Sequence, residues 1–163
     1  LAMSPKDPRI VYIWIVGYGF YRTDDGGSTW KAIEPRRGKM PLYSLAISPK
    51  DPNLLYAGAE AGIVVSRDGG STWEVLPDDL KGSKVFAIAI HPKGQELLAG
   101  TDQGLFLRRE DGKGWAPIAY EVGAGAVIAF AFDKPETGTV YALTHKGAIL
   151  KGSAKSLKWE RLN

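Results

Sequence analysis

"TDDGGSTW" runs from Thr23 to Trp30, and its near copy "SRDGGSTW" runs from Ser66 to Trp73. An acidic, glycine-rich octet that occurs twice reads either as a ligand loop or as a hairpin turn. Gly26-Gly27 and Gly69-Gly70 supply positive φ at low steric cost, as a tight hairpin requires. Asp25 and Asp68 can accept backbone N–H bonds across such a turn, and Ser28, Thr29, Ser71 and Thr72 can add more. Trp30 and Trp73 then bury a large ring against the sheet. A calcium loop would need more oxygen ligands than "DDGGS" offers. A phosphate loop would end in Gly-Lys-Ser/Thr and open a helix, which neither copy does. Both octets are therefore expected to be structural turns.

Working outward, the octets fall in phase with a larger repeat. Four units end at Trp30, Trp73, Trp115 and Trp159, a spacing in the range of propeller blades. "LAMSPKDPRIVY" (Leu1 to Tyr12) matches "LAISPKDPNLLY" (Leu45 to Tyr56), and weaker copies follow at Ile88 to Gly100 and Phe130 to Ala142. Gly19, Gly62, Gly104 and Gly147 mark the opening of the third segment of each unit. Within a unit, short alternating runs rich in aromatic and β-branched residues are separated by Pro, Gly and Asp turns, which reads as four strands. Alanines alternate with large residues in the first strands (Phe86-Ala87-Ile88-Ala89-Ile90, then Phe130-Ala131-Phe132), as a crowded innermost strand needs. The predicted fold is all-β: a β-propeller of four four-stranded antiparallel blades, over about 1–42, 43–84, 85–126 and 127–163, in a single domain. It forms either a four-bladed ring or half of a larger propeller, and an open arc would need a second copy or another partner to cover its ends.

Composition agrees with this and limits function. Of 163 residues 44% are hydrophobic, which excludes a disordered chain, and 20 glycines suit many turns. The net charge of +3 is small and interspersed, so nucleic acid is not an expected partner. With no cysteine there is no disulfide or thiolate metal site, and no cofactor or metal is expected. No apolar run approaches the roughly 20 residues of a membrane span. A chain opening at Leu1 instead of an initiator Met reads as a processed product.

The octet resembles the Asp-box of BNR-repeat propellers, Ser/Thr-x-Asp-x-Gly-x-Thr-Trp. Thr23, Asp25, Gly27, Thr29 and Trp30 match it, as do Ser66, Asp68, Gly70, Thr72 and Trp73; "RREDGKGW" is a degraded third copy and "GSAKSLKW" keeps only Trp159. The resemblance implies a propeller in which the box is a structural turn away from the ligand face. Such propellers include sialidases, xyloglucanase-like glycosidases, luminal sorting receptors and photosystem II assembly factors. "SPKDPNLLYAG" and "GIVVSRDGGSTW" look more like the last three, and the sialidase arginine set is missing. The resemblance thus implies a non-enzymatic binding or assembly propeller, periplasmic, secreted or luminal, with a protein partner. The alternatives are a fragment of a secreted glycosidase and a purely structural subunit.

In propeller order one face carries the octet and "SPKDPN" turns, and the other the loops between second and third strands with the blade links, where function is expected. There unit 1 departs from the pattern: "YIWIVGYGFY" replaces "YAGAEAGIVV", and the link "PRRGKMPLY" is basic. Trp14, Tyr18, Arg22, Arg36, Arg37, Lys39 and Tyr43, with Phe20, Tyr21 and Met40, form the candidate binding patch. Gly17, Glu60, Asp102 and His145 stand two residues before each marker glycine. Glu60, Asp102 and His145 would form an arc able in principle to act as acid and base or to hold a metal, yet they read better as loop-tip polar residues. His91 replaces Ser48 in the "SPK" turn and reads as a turn substitution.

Overall fold

The computed structural model describes residues 1–33, 41–76, 80, 82–94, 96–109, 114–121, 123–133, 137–153 and 157–163. Among them there are four four-stranded sheets and no helix. Blade 1 holds β1 (Ala2–Met3), β2 (Val11–Ile15), β3 (Gly19–Thr23) and β4 (Lys31–Ile33). Blade 2 holds β5 (Leu42–Ile47), β6 (Leu55–Ala59), β7 (Gly62–Ser66) and β8 (Glu74–Val75). Blade 3 holds β9 (Val85–Ile90), β10 (Glu96–Thr101), β11 (Gly104–Arg109) and β12 (Ala116–Ile118). Blade 4 holds β13 (Val127–Phe132), β14 (Thr139–Thr144), β15 (Ile149–Ser153) and β16 (Glu160–Arg161). Each strand pairs with its sequence neighbours in an antiparallel meander. This is the architecture of a β-propeller, as the repeat predicts.

The two octets fold identically. The Thr23 hydroxyl donates to Asp25 Oδ1 at 2.7 Å and accepts from the Gly27 N–H at 3.0 Å. Asp25 accepts from the Thr29 N–H at 2.9 Å and the Thr29 hydroxyl at 2.6 Å, and Trp30 Nε1 donates to the Gly27 carbonyl at 3.1 Å. Ser66, Asp68, Gly70, Thr72 and Trp73 repeat every one of these bonds. Gly26, Gly27, Gly69 and Gly70 all have positive φ. The Thr29 hydroxyl, foremost, holds the Asp25 carboxyl well below the usual carboxylate range. At Asp68 burial is the largest single influence and pushes the value up, but bonds from Thr72 and Ser66 outweigh it and the carboxyl is lowered. A main-chain bond ties each octet to the preceding proline turn: Gly26 N–H to Arg9 O and Gly69 N–H to Asn53 O, both at 2.9 Å. The carboxylates are consumed in closing the turn.

Blades join through period-2 alternation: one set of residues faces the preceding blade, the other the next. Phe20 of blade 1 meets Trp73 of blade 2 edge-on at 5.8 Å. Trp115 joins the core cluster of Ile63 on blade 2, and Trp159 that of Leu105 on blade 3. Trp73 thus meets the third strand of the blade before it, and Trp115 and Trp159 share a core cluster with theirs. Trp30 departs from the expected burial. It is 40% exposed, against 8%, 7% and 4% for Trp73, Trp115 and Trp159. The fourth unit departs in another way. The stretch from Gly147 to Trp159 is one residue longer than its counterparts, and β15 opens at Ile149, two residues after the glycine that was to start it.

Candidate functional site

At the end of the inner strands away from the octets, blades 2, 3 and 4 share an irregularity. Pairing slips between Leu42 and Ser44, between Val85 and Ala87 opposite Gly100/Thr101, and between Val127 and Ala129. Each slip leaves one residue outside the ladder: Tyr43, Phe86 and Ile128. A bulge re-aims its side chain and is characteristic of functional rims. Tyr43 and Ile128 are exposed, Phe86 is half-buried, and the Tyr43 and Phe86 rings lie 6.0 Å apart. Three adjacent blades therefore offer an apolar residue at one register position. Phe86 and Ile128 were not among the candidates from sequence. Their signal was available, since both stand in phase with Tyr43, but a bulge is invisible in an alternation pattern.

A polar fringe borders this row. Tyr43 donates its hydroxyl to Glu60 Oε2, and Lys84 Nζ pairs with Glu60 Oε1 at 2.7 Å. The Lys84 bond, first, and the Tyr43 bond lower the Glu60 carboxyl, while Glu60 raises both Tyr43 and Lys84. Asp102 accepts from the Lys84 N–H at 3.1 Å through its carboxylate and donates its own N–H to the Lys84 carbonyl at 3.1 Å. His145 makes the same two-bond clamp one blade on, accepting from the Ala126 N–H at Nδ1 and donating to the Ala126 carbonyl, both at 3.0 Å. Asp102 and His145 thus fasten the loop between second and third strands to the residue that enters the blade. Among the described residues no group of three or more His, Asp or Glu side chains is arranged to hold a metal ion.

The other candidates separate. Trp14 belongs to the joint between blades 1 and 2, tilted on Phe20 at 6.4 Å within the core cluster of Trp73, and not to an open patch. Arg22 lies at the octet end: it bonds Asn53 Oδ1 at 2.8 Å and the Tyr12 hydroxyl at 2.7 Å, and pairs with Asp24 at 2.6 Å. It fastens blade 1 to the proline turn of blade 2 and stands apart from Tyr18. Period-2 alternation in β3 cannot tell these ends apart, because Arg22 and Phe20 share a side but sit two residues along the strand. Tyr18 is 79% exposed and its neighbour Val16 83%, at the tip of the β2–β3 hairpin. Arg36, Arg37, Lys39 and Met40 lie outside the described residues. His91 is buried in the turn position that Ser48 holds in blade 2. Its Nδ1 accepts from the Lys93 N–H at 3.2 Å, much as the Ser48 hydroxyl accepts from the Lys50 N–H at 3.2 Å.

No family model and no curated protein matches the chain. Solved structures resemble it. An ancestral GH74 enzyme superposes with a TM-score of 0.78 at 20% identity, covering 99% of this chain and 23% of that one. The GH74 xyloglucanase of Xanthomonas campestris gives 0.71 at 14% identity, covering 100% of this chain and 29% of that one. YCF48 bound to D1 peptide gives 0.67 at 16% identity, covering 93% of this chain and 49% of that one. The likeness is one of fold, and the chain spans less than half the length of each of these proteins. No helix among the described residues is long and apolar enough to cross a membrane.

Proposed function

We propose that this chain is a non-enzymatic, protein-binding propeller built on Asp-box repeats, acting outside the cytoplasm or as a subunit of a larger complex. The observation that carries the reading is the row of bulged residues Tyr43, Phe86 and Ile128 on three successive blades. Apolar side chains on a rigid scaffold, fringed by Glu60 and Lys84, suit an apolar segment of a protein partner with a polar border. The exposed tip of Val16 and Tyr18 extends the apolar surface of the same face. A propeller of similar fold, YCF48, is known bound to a peptide. The duplicated octet network supports the Asp-box reading, and with it the extracytoplasmic setting that the resemblance implies.

A second reading, a fragment of a xyloglucanase-like glycosidase, is favoured by the superposition on GH74 enzymes. Against it stands the engagement of Glu60 with Lys84 and Tyr43 and of Asp102 with main chain. One experiment separates the two. Peptides selected from a displayed library on the chain are expected to lose at least tenfold in affinity for Tyr43→Ser/Ile128→Ser, with the melting temperature held. Selected peptides that bind this variant as well as the wild type would refute the row as the binding surface. Xyloglucan cleavage by the wild type, abolished in Glu60→Gln or Asp102→Asn, would establish the glycosidase instead.

A further inference from the structure

The loop tips of blades 3 and 4 close on the residue that enters their own first strand, and blade 2 lacks the group that makes this possible. Asp102 follows Thr101 at the end of β10, and its carboxylate accepts from the Lys84 N–H at 3.1 Å. His145 follows Thr144 at the end of β14, and its Nδ1 accepts from the Ala126 N–H at 3.0 Å. Lys84 and Ala126 stand directly before β9 and β13, whose first residues Val85 and Val127 pair with Thr101 and Thr144. In blade 2 the same pairing joins Leu42 to Ala59, so Glu60 is the loop-tip residue and Pro41 the entering one. Proline has no N–H, so the Glu60 carboxylate has no main-chain donor at position 41.

The carboxylate is used elsewhere. Its Oε2 accepts from the Tyr43 hydroxyl and its Oε1 pairs with Lys84 Nζ at 2.7 Å. Lys84 is thus held twice, by Asp102 of its own blade at the main chain and by Glu60 of the blade before at the side chain. A chain of contacts runs from this clamped backbone through Glu60 to the bulged Tyr43 ring, which leans on Phe86 at 6.0 Å and 39°. The change is concerted. Of the three bulged residues only Tyr43 carries a hydroxyl, and it stands in the blade whose loop-tip carboxylate is free of main chain. We infer that Glu60, released from the clamp by Pro41, is a positioning residue that holds Tyr43 against Phe86 in its binding pose. This role rests on Tyr43, Phe86 and Ile128 forming the binding row, and adds what holds one of them in place. An untethered tyrosine on a rim samples several rotamers and loses that freedom on binding, whereas one tied at its hydroxyl meets a partner already ordered.

Peptides selected on the wild-type chain from a displayed library supply the probe. Tyr43→Phe keeps the ring and loses the tether at one end, and Glu60→Ala loses it at the other. Each is expected to weaken peptide binding by about tenfold, what ordering one or two released side chains on binding costs, with melting temperature and circular dichroism unchanged. The double variant should lose no more than either single one, because both remove the same contact. Pro41→Ala restores an N–H at position 41. That new amide is expected to exchange slowly with deuterium, captured by Glu60, and peptide affinity is expected to fall to that of Glu60→Ala. Full affinity in Tyr43→Phe or Glu60→Ala overturns the inference. So does an additive loss in the double variant, and so does free exchange of the new amide. Failure of the row itself reads differently, as full affinity in Tyr43→Ser/Ile128→Ser.

Discussion

The joint between blades 1 and 2 and the joint between blades 2 and 3 use opposite residues at one register position. At Gly58 an added Cβ would stand 2.3 Å from the Val85 carbonyl of blade 3, and at Gly100 one would stand 2.4 Å from the Val127 carbonyl of blade 4. Backbone lies against backbone there, which only glycine allows. Blade 1 has Trp14 at this position, packed against the core cluster that blades 1 and 2 share. Its indole N–H finds no partner among the described residues. The same seam is thus closed by absence of a side chain in one place and by a large one in the other. What the repeat conserves here is a filled seam, not a residue type.

The comparison breaks most sharply if blade 4's residue is written into a closed joint. Gly58→Leu copies Leu143, which is exposed, and is expected to cost more than about 4 kcal/mol in denaturant unfolding, at the top of the range for one substitution. Wild-type stability in this variant would mean that close backbone approach does not seat blade 3. Trp14→Ala should cost about 3 kcal/mol, as loss of a packed aromatic does. A melting temperature unchanged by it would return Trp14 to the open surface.

A smaller effect is expected at the octet. Asp68→Ala should cost about 1–3 kcal/mol through three lost bonds to a charged acceptor, with screening by solvent keeping it toward the lower end. Peptide binding should be untouched. The pH dependence follows with its sign fixed. Both octet carboxyls are lowered in the fold, so their contribution is complete above the unfolded carboxylate value, about 3.9, and is lost as pH falls through the lower folded values. Melting temperature should therefore decline in acid below about pH 4, and less steeply in Asp68→Asn. A decline that begins near neutral pH would assign acid sensitivity to other groups. Smallest of all, Tyr18→Ser should stay within about 0.5 kcal/mol of wild type, since Tyr18 is 79% exposed at a hairpin tip.

These regions also differ in how far the sequence could disclose them. The octets were readable because every bond in them spans four residues or fewer, so the turn is specified where it is written. The four-stranded units followed from alternation and turn residues for the same reason. Trp14 and Arg22 could not be placed, because alternation gives two sides of a strand but not which side meets the next blade or which end meets the octets. The fourth unit slipped by one residue because its marker glycine serves the turn before β15 and not the strand itself. Phe86 and Ile128 emerged only with the bulges, which depend on pairing between strands and leave no mark in one strand's composition.

The outermost strands have a further consequence. Among the described residues β4, β8, β12 and β16 cover Lys31–Ile33, Glu74–Val75, Ala116–Ile118 and Glu160–Arg161, and three of the four carry charged residues. A propeller exposes one unpaired strand edge per blade around its whole circumference, and each is a template on which another chain can add. Edges of two or three residues offer too few aligned N–H and C=O groups to hold an intruding strand. Where an edge does find a partner, the partner is internal: Ala119, just past β12, donates to Leu157 O at 2.7 Å and accepts from the Trp159 N–H at 2.9 Å. Truncated rims thus guard the protein against fibrillar aggregation at a place where a repeat of near-identical blades would otherwise invite it.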